Sequence, residues 1–254
     1  MIITSWNCHN LNTRCKKENR RNRNDYLAIL KKAIGDVMPD VAFFCEIEPE
    51  PGDVSFHACS EFDSDWDLSS GISLKVGPGV KVGKKDIQLL LPSGISREYG
   101  MALRVEVSKD KENQEKENQE IVFFWNLKRK YMKGKKKTIH GYPATWEQLV
   151  RTLSGREGDF WNSSAIIMGD FNLTGEEIRR KMEGLNTPMK VQLDRVTHFP
   201  EFPVTDPSAG RPLDHYICRD GKAVCLGNIM FDKLGVFVGK GLSDHLPVII
   251  RTVN

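Results

Sequence analysis

The chain has 254 residues, 39% of them hydrophobic and 28% charged, with a formal net charge of +3. These are the proportions of an ordinary soluble globular protein, and they exclude a small chain that needs disulfides or a structural metal to hold its core together. The near-neutral total selects no partner, but the distribution is uneven: Arg14 to Arg23 holds six basic residues and one acidic one, and Lys128 to Lys137 holds seven basic residues and no acidic one. Such clusters suit phosphates, although taken singly each reads as a solvated loop.

The N-terminus, MIITSWNCHN, has no basic segment followed by a long apolar one, and no apolar run approaches the roughly 20 residues of a membrane span. A cytoplasmic, reduced, monomeric protein is the expectation. The six cysteines, Cys8, Cys15, Cys45, Cys59, Cys218 and Cys225, include no CxxC pair, which argues against a zinc knuckle. Cys45 and Cys218 fall in apolar runs and read as buried thiols.

In chain order, Ile2 to Trp6 predicts a short strand, followed by a basic loop. A helical period then places Tyr26, Ile29, Leu30, Ala33, Ile34 and Val37 on one face, and Pro39 ends the helix. Val41 to Cys45 is a continuous apolar run, the mark of a buried central strand. Residues 46–70 are acidic and interrupted by proline, and read as loop. Gly71 to Val76 and Met101 to Val107 predict strands around a turn region. Residues 111–120 spell KENQE twice, with no apolar residue, and predict an extended loop, at about 108–120, leading into a strand over Ile121 to Asn126.

After the second basic run, Pro143 opens a helix with Trp146, Leu149, Val150 and Leu153 on one face. Ala165 to Met168 predicts a buried strand, and Thr174 with Glu177 predicts a capping box at the start of a short helix. Pro188 to Arg211 is rich in proline and reads as irregular. Leu213 to Cys218 and Leu246 to Thr252 complete the strands. Strands dominate, and the fold class that follows is an α/β sandwich of two sheets with helices outside, in a single domain over residues 1–254.

Five segments each place a carboxylate, amide or imidazole where an apolar strand stops: Ser5-Trp6-Asn7, Phe44-Cys45-Glu46, Gly169-Asp170-Phe171-Asn172, Leu213-Asp214-His215 and Ser243-Asp244-His245. Strand ends are rigid enough to hold side chains to catalytic tolerance. Phosphodiester hydrolysis needs a hard cation on oxygen ligands, for which Glu46 and Asp244 are candidates. It needs a group to aim a water, for which Asp170 is a candidate. It needs donors for the non-bridging oxygens, and Asn7, Asn172 and His245 qualify. Asp214 suits the second ring nitrogen of His245. Singly, each residue has a plainer reading as a turn, cap or surface residue; the significance lies in the ordered set of five.

On those residues the chain resembles the endonuclease/exonuclease/phosphatase superfamily, the DNase I-like proteins, from residue 2 to residue 251, with GDFN and SDH the most specific motifs. The resemblance implies a four-layered α/β sandwich, two mixed β-sheets packed face to face with helices outside, and an active site at one edge. It implies Glu46 as the main ligand of Mg2+, or of Mn2+ in its place, with Asp244 near the metal and Asn7 in the metal and phosphate pocket. Asp170 then activates or orients the water, Asn172 holds the phosphate, and His245, supported by Asp214, stabilises the transition state.

One position departs from the pattern. Many members carry a histidine where this chain has Asn126, and an amide binds phosphate but does not serve as a general acid. His140, Tyr131 and a metal-bound water are substitutes for that proton; His9 and His198 are weaker candidates to face the site. The substrate-binding candidates are Asn126, Arg129, Lys130, Tyr131, Lys17 and Arg21, with an aromatic available to stack on a base. Three functions compete: a nuclease acting on DNA or RNA, which the basic runs favour; a phosphatase or phosphodiesterase for inositol phosphates or phospholipids; and a non-catalytic nucleic-acid binder that kept the fold.

Overall fold

A computed structural model describes residues 1–8, 23–47, 71–82, 87–90, 100–110, 115–126, 143–155, 160–193, 195–199, 210–238 and 242–253. Among these residues, a five-stranded sheet has the order β11-β12-β1-β2-β3, formed by Ala223–Cys225 (β11), Val248–Thr252 (β12), Ile2–Asn7 (β1), Val41–Ile47 (β2) and Gly71–Val76 (β3). A seven-stranded sheet has the order β4-β6-β7-β8-β10-β9, from Val80–Lys81 (β4), Gly100–Asp110 (β6), Lys116–Asn126 (β7), Ile166–Asp170 (β8), Asp214–Arg219 (β10) and Met189–Val191 (β9). Ile87–Leu89 (β5) pairs with β6. Both sheets are mixed: β1 and β2 run parallel in the first, β7 and β8 in the second, and the other pairs are antiparallel.

The period-two alternation of the central strands decides which side chains enter which layer. In β7, Ile121, Phe123 and Trp125 join the core between the sheets, whereas Val122 and Phe124 face the other way. Ile166 and Met168 against Ile167, and Tyr216 and Cys218 against Ile217, repeat the division in β8 and β10. Phe43 and Phe123 stack across the two sheets at 4.7 Å between ring centroids. The outer face of the larger sheet is covered by Trp146, Leu149, Val150 and Leu153 of Pro143–Ser154 (α2) and by Ile178 and Met182 of Gly175–Met182 (α3). On the other sheet, Trp6 meets Tyr26 of Arg23–Ala33 (α1) at 4.9 Å and Phe237 of Leu234–Phe237 (α5) at 5.5 Å, both edge-on; Gly227–Asp232 (α4) adds Met230. The result is four layers: helix, sheet, sheet, helix. The capping box at Thr174 and Glu177 is present in full, an arrangement that contributes about 1 kcal/mol to a helix start.

Three sequence expectations need correction. The second KENQE copy, Lys116 to Glu120, is strand rather than loop, and pairs continuously with β6 out to Asp110 and Lys116. Its backbone ladder extends from the core half of the same hairpin, so it needs no apolar burial of its own. Polar contacts suffice: Glu120 pairs with Arg104 at 2.5 Å, and Gln119 donates to the Ser164 carbonyl at 2.9 Å. Within the stretch read as irregular, Met189–Val191 forms an edge strand on β10. The first helix stops at Ala33, not Pro39, because Gly35 and Asp36 turn the chain at φ 85° and 60°; Val37 is consequently exposed. No helix among the described residues is long and apolar enough to cross a membrane.

Candidate active site

The strand register brings the chemistry to one edge. Across the larger sheet, Trp125 lies beside Asp170, and Asp170 beside Asp214. Across the smaller sheet, Asn7 pairs with Cys45, and a bulge between Cys45 and Ile47 turns Glu46 out of the ladder at φ 60°. A left-handed glutamate is sterically costly, by about 1–2 kcal/mol, and such strain persists where the surroundings over-determine it. Here the surroundings include two donors on Glu46 Oε1, Asn7 Nδ2 at 3.1 Å and Trp125 Nε1 at 3.3 Å.

From Glu46 a line of polar groups runs through both sheets, hydrogen-bonded except where Asp170 approaches His245. Asn7 Nδ2 also donates to Asp170 Oδ2 at 2.9 Å. Asp170 Oδ2 lies 4.0 Å from His245 Nε2, and His245 Nδ1 donates to Asp214 Oδ2 at 2.9 Å. Asn7, Asp170, Asp214 and His245 are all buried, while Glu46 is half-buried. Five of the residues singled out in the sequence therefore share one cluster at the seam of the sheets.

The segments that carry these groups are braced. Ser243 Oγ donates to the Asn7 carbonyl at 2.6 Å and accepts from the His245 amide at 2.9 Å; Trp6 Nε1 donates to the His245 carbonyl at 2.9 Å. Thr197 Oγ1 accepts from the Asp214 amide at 2.9 Å. Asp170 Oδ1 accepts from the Asn172 amide at 2.8 Å, closing a tight Asx-type turn with Asn172 at φ 47°. Gly169, at φ 145°, sits so close to β7 that a Cβ there would lie 2.0 Å from the Phe124 carbonyl oxygen.

Two amides make contacts within the protein. Asn172 Nδ2, assigned to phosphate, donates to Asp170 Oδ2 at 2.8 Å and to the Asn126 carbonyl at 2.5 Å. Asn126 Nδ2, a substrate-binding candidate, donates to the Phe171 carbonyl at 2.9 Å, and the residue is fully buried. Both are turned inward and hold the Asp170 turn against β7. His215, inside the Leu213-Asp214-His215 motif, is also buried as a brace, with Nε2 2.9 Å from the Leu173 and Pro212 carbonyls and Nδ1 against Leu193.

Asp244, the second metal candidate of the sequence, clusters with two imidazoles. His198 Nε2 is 3.4 Å from Asp244 Oδ2, and His245 Nε2 is 3.8 Å from Asp244 Oδ1. Among the described residues, the close groups of three or more metal-binding side chains are His198, Asp244 and His245, and Asp170, Asp214 and His245; Glu46 belongs to neither. His198, in a stretch without periodicity, thus enters the neighbourhood of the site, and Trp125 enters through its indole N–H as well as its packing. Lys17, Arg21, Arg129, Lys130, Tyr131, His9 and His140 lie outside the described residues. Flanking the site, Cys8 and Cys45 are buried free thiols, pushed well above the usual thiol range by burial first and then by the Glu46 carboxylate.

No family model and no curated protein sequence matches the chain. Among solved structures, it is similar to the Haemophilus ducreyi cytolethal distending toxin, with 13% identity and a TM-score of 0.47 over 100% of this chain and 98% of that one. It is also similar to CdtB, the biologically active subunit of cytolethal distending toxin, with 14% identity and a TM-score of 0.49 over 99% and 97%. An endonuclease/exonuclease/phosphatase family protein from Bacteroides thetaiotaomicron superposes with a TM-score of 0.51 over 98% of this chain and 96% of that one, at 11% identity. At such identities the likeness is one of architecture, and the third comparison carries it. Two mixed sheets face to face between helices, aligned with that protein over nearly the whole length of both chains, give this chain the endonuclease/exonuclease/phosphatase, or DNase I-like, fold.

Proposed function

We propose that the chain is a divalent-metal-dependent phosphodiesterase acting on nucleic acid. The observation that carries the reading is the cluster Glu46–Asn7–Asp170–His245–Asp214, assembled from both sheets at one edge. The donor set fits a hard cation: Glu46 offers carboxylate oxygens from a half-buried, strained position at the mouth of that cluster. Glu46 would hold Mg2+, which when bound neutralises phosphate charge and polarises the P–O bonds.

The chain's own residues do the rest. Asp170, fixed by Asn7 and by both nitrogens of Asn172, accepts a proton from a water and aims it in line at phosphorus. His245, held by Asp214 through Nδ1, presents Nε2 to a non-bridging oxygen as negative charge builds there. Asn126 and Asn172 keep the Asp170 turn rigid.

Nucleic acid is favoured over smaller phosphate esters by where the basic segments leave the described fold. The run from Arg14 to Arg23 follows Asn7, and the run from Lys128 to Lys137 follows Asn126, so both depart from the strand ends that carry the cluster. Lys17, Arg21, Arg129 and Lys130 would then neutralise backbone phosphates and Tyr131 would stack on a base.

A panel of plasmid, single-stranded DNA, RNA, abasic duplex and inositol phosphates, each with Mg2+ or chelator, tests the reading. The expected result is Mg2+-dependent cleavage of a nucleic acid, with binding that weakens in salt by about 0.9 per contacted duplex phosphate. No turnover of any substrate by the parent chain sinks it, and turnover of inositol phosphates alone moves the assignment to a phosphatase. In the same assay Glu46→Gln is expected to raise the Mg2+ concentration for half-maximal rate by at least about tenfold, a loss of about 1.4 kcal/mol or more of metal binding. An unchanged Mg2+ requirement removes Glu46 from the metal.

A further inference from the structure

We infer that His198, Asp244 and His245 form a second metal site, one that takes a borderline transition-metal ion such as Zn2+ in preference to Mg2+. The three side chains are buried and offer two imidazole nitrogens and a carboxylate, with their ligand atoms within 4.8 Å of one another. Imidazole suits Zn2+, Co2+ and Ni2+, whereas Mg2+ prefers oxygen ligands and keeps its waters. The set therefore differs in kind from the oxygen ligand at Glu46.

The imidazole–carboxylate spacings approach those of donors around an ion. Two ligands each about 2.0–2.1 Å from a tetrahedral cation lie about 3.3 Å apart. His198 Nε2 is 3.4 Å from Asp244 Oδ2, and His245 Nε2 is 3.8 Å from Asp244 Oδ1, so each imidazole meets its own carboxylate oxygen. Both distances exceed the roughly 2.7–2.9 Å of a charge-assisted hydrogen bond. The rings stand edge-to-face with centroids 4.6 Å apart, and both Nε2 atoms lie near the Asp244 carboxylate.

Orientation is settled beforehand. The Nδ1–H of His245 is given to Asp214 at 2.9 Å, which leaves Nε2 as the ligating nitrogen, the usual carboxylate–histidine–metal arrangement. The backbone around His198 is pinned on both sides. Its amide donates to the Arg211 carbonyl at 3.0 Å and its carbonyl accepts from the Arg211 amide at 2.9 Å. Phe199 N donates to the Asp244 carbonyl at 2.7 Å and Leu246 N to the Thr197 carbonyl at 2.8 Å. Gly210 allows this approach, since a Cβ there would lie 2.2 Å from Val196 Cγ1 and 2.6 Å from the His198 carbonyl oxygen.

Where the phosphodiesterase reading holds, the site is also a brake. His245 Nε2 cannot face a bound cation and a phosphate oxygen at once, so occupancy by Zn2+ lowers turnover.

Calorimetric titration with Zn2+, and visible absorption with Co2+, both in excess Mg2+, test the site without any substrate. One equivalent is expected to bind, and nitrogen NMR of the parent chain is expected to show the Nε2 atoms of two histidines shifting together. Affinity is expected to fall at least about tenfold in His198→Gln and in the shorter His198→Asn, and about 10–100-fold in Asp214→Asn. No binding in excess Mg2+, no paired histidine shift, or equal affinity in folded His198 variants overturns the site. An inactive chain that binds Zn2+ through His198 overturns the phosphodiesterase reading alone; an active chain that does not bind Zn2+ overturns this inference alone.

Discussion

Asp170→Asn is expected to lower kcat/KM by about 10³–10⁴-fold on whichever phosphodiester the parent chain cleaves, the range set by losing a positioned base and the orientation it gives to water. The substitution keeps the size of the side chain and removes its second accepting oxygen. In the parent, Oδ1 and Oδ2 accept from the Asn172 amide, from Asn172 Nδ2 and from Asn7 Nδ2, all at 2.8–2.9 Å. An amide NH2 in that place meets other NH2 groups, so a stability loss of about 1–3 kcal/mol accompanies the rate loss. Single-turnover rates measured beside a denaturant melt separate the two effects, because a loss of that size leaves most chains folded. A rate within tenfold of the parent removes Asp170 from the chemistry. The same variant discriminates an enzyme from a binder: a chain that only binds nucleic acid has no rate to lose.

The largest expected effect on stability is at Gly169. Gly169→Ala is expected to cost about 3–5 kcal/mol, combining backbone strain with an unavoidable overlap. Its φ of 145° is hostile to any L side chain, and the added Cβ would lie 2.0 Å from Phe124 O and 3.0 Å from Phe124 C. Those atoms are backbone of the neighbouring strand and have no room to rotate away. Separating β8 from β7 to relieve the overlap would break the parallel ladder that sets Trp125 beside Asp170. Gly184 is the internal control: its φ is 89°, and a Cβ added there would have nothing within 4 Å, so Gly184→Ala is expected to cost only about 1–2 kcal/mol. Paired denaturant melts decide the matter, and equal costs at the two positions refute the overlap.

The layered sandwich and the residues of the cluster are legible in the sequence because both write a strong local pattern. Apolar runs such as Val41 to Cys45 mark central strands, with a polar residue at one end of each; Asn7, Glu46 and Asp170 stand where β1, β2 and β8 finish, whereas Asp214 opens β10 and His245 precedes β12, a correction to the expectation that all five stand where a strand stops. Strand direction then gathers them: β10 runs antiparallel to β8 and β12 antiparallel to β1, so the starts of the former meet the ends of the latter, and Asn7, Glu46, Asp170, Asp214 and His245 come together from distant positions. What an amide does there is not legible. Asn126 and Asn172 carry donors that serve a phosphate or a backbone carbonyl equally well, and only the tight turn after Asp170 shows that the carbonyls receive them. His198 is legible only as a weak candidate, since its place depends on backbone pairing with Arg211 and with the segment around Asp244, not on any periodicity nearby. The second KENQE copy misleads because composition is not conformation: a polar segment can be strand when its partner is already held in register by the apolar half of the same hairpin.

Neither sheet contains a complete site. Asn7 and Glu46 come from one layer, Asp170 and Asp214 from the other, and His245 lies between them. On the phosphodiesterase reading, turnover would belong to the docked pair and report on its alignment. A shift of one slab against its fellow, too small to unravel a single strand, would pull Asp170 away from Glu46. The aromatic stack of Phe43 on Phe123 is in that sense part of what keeps the two halves in gauge.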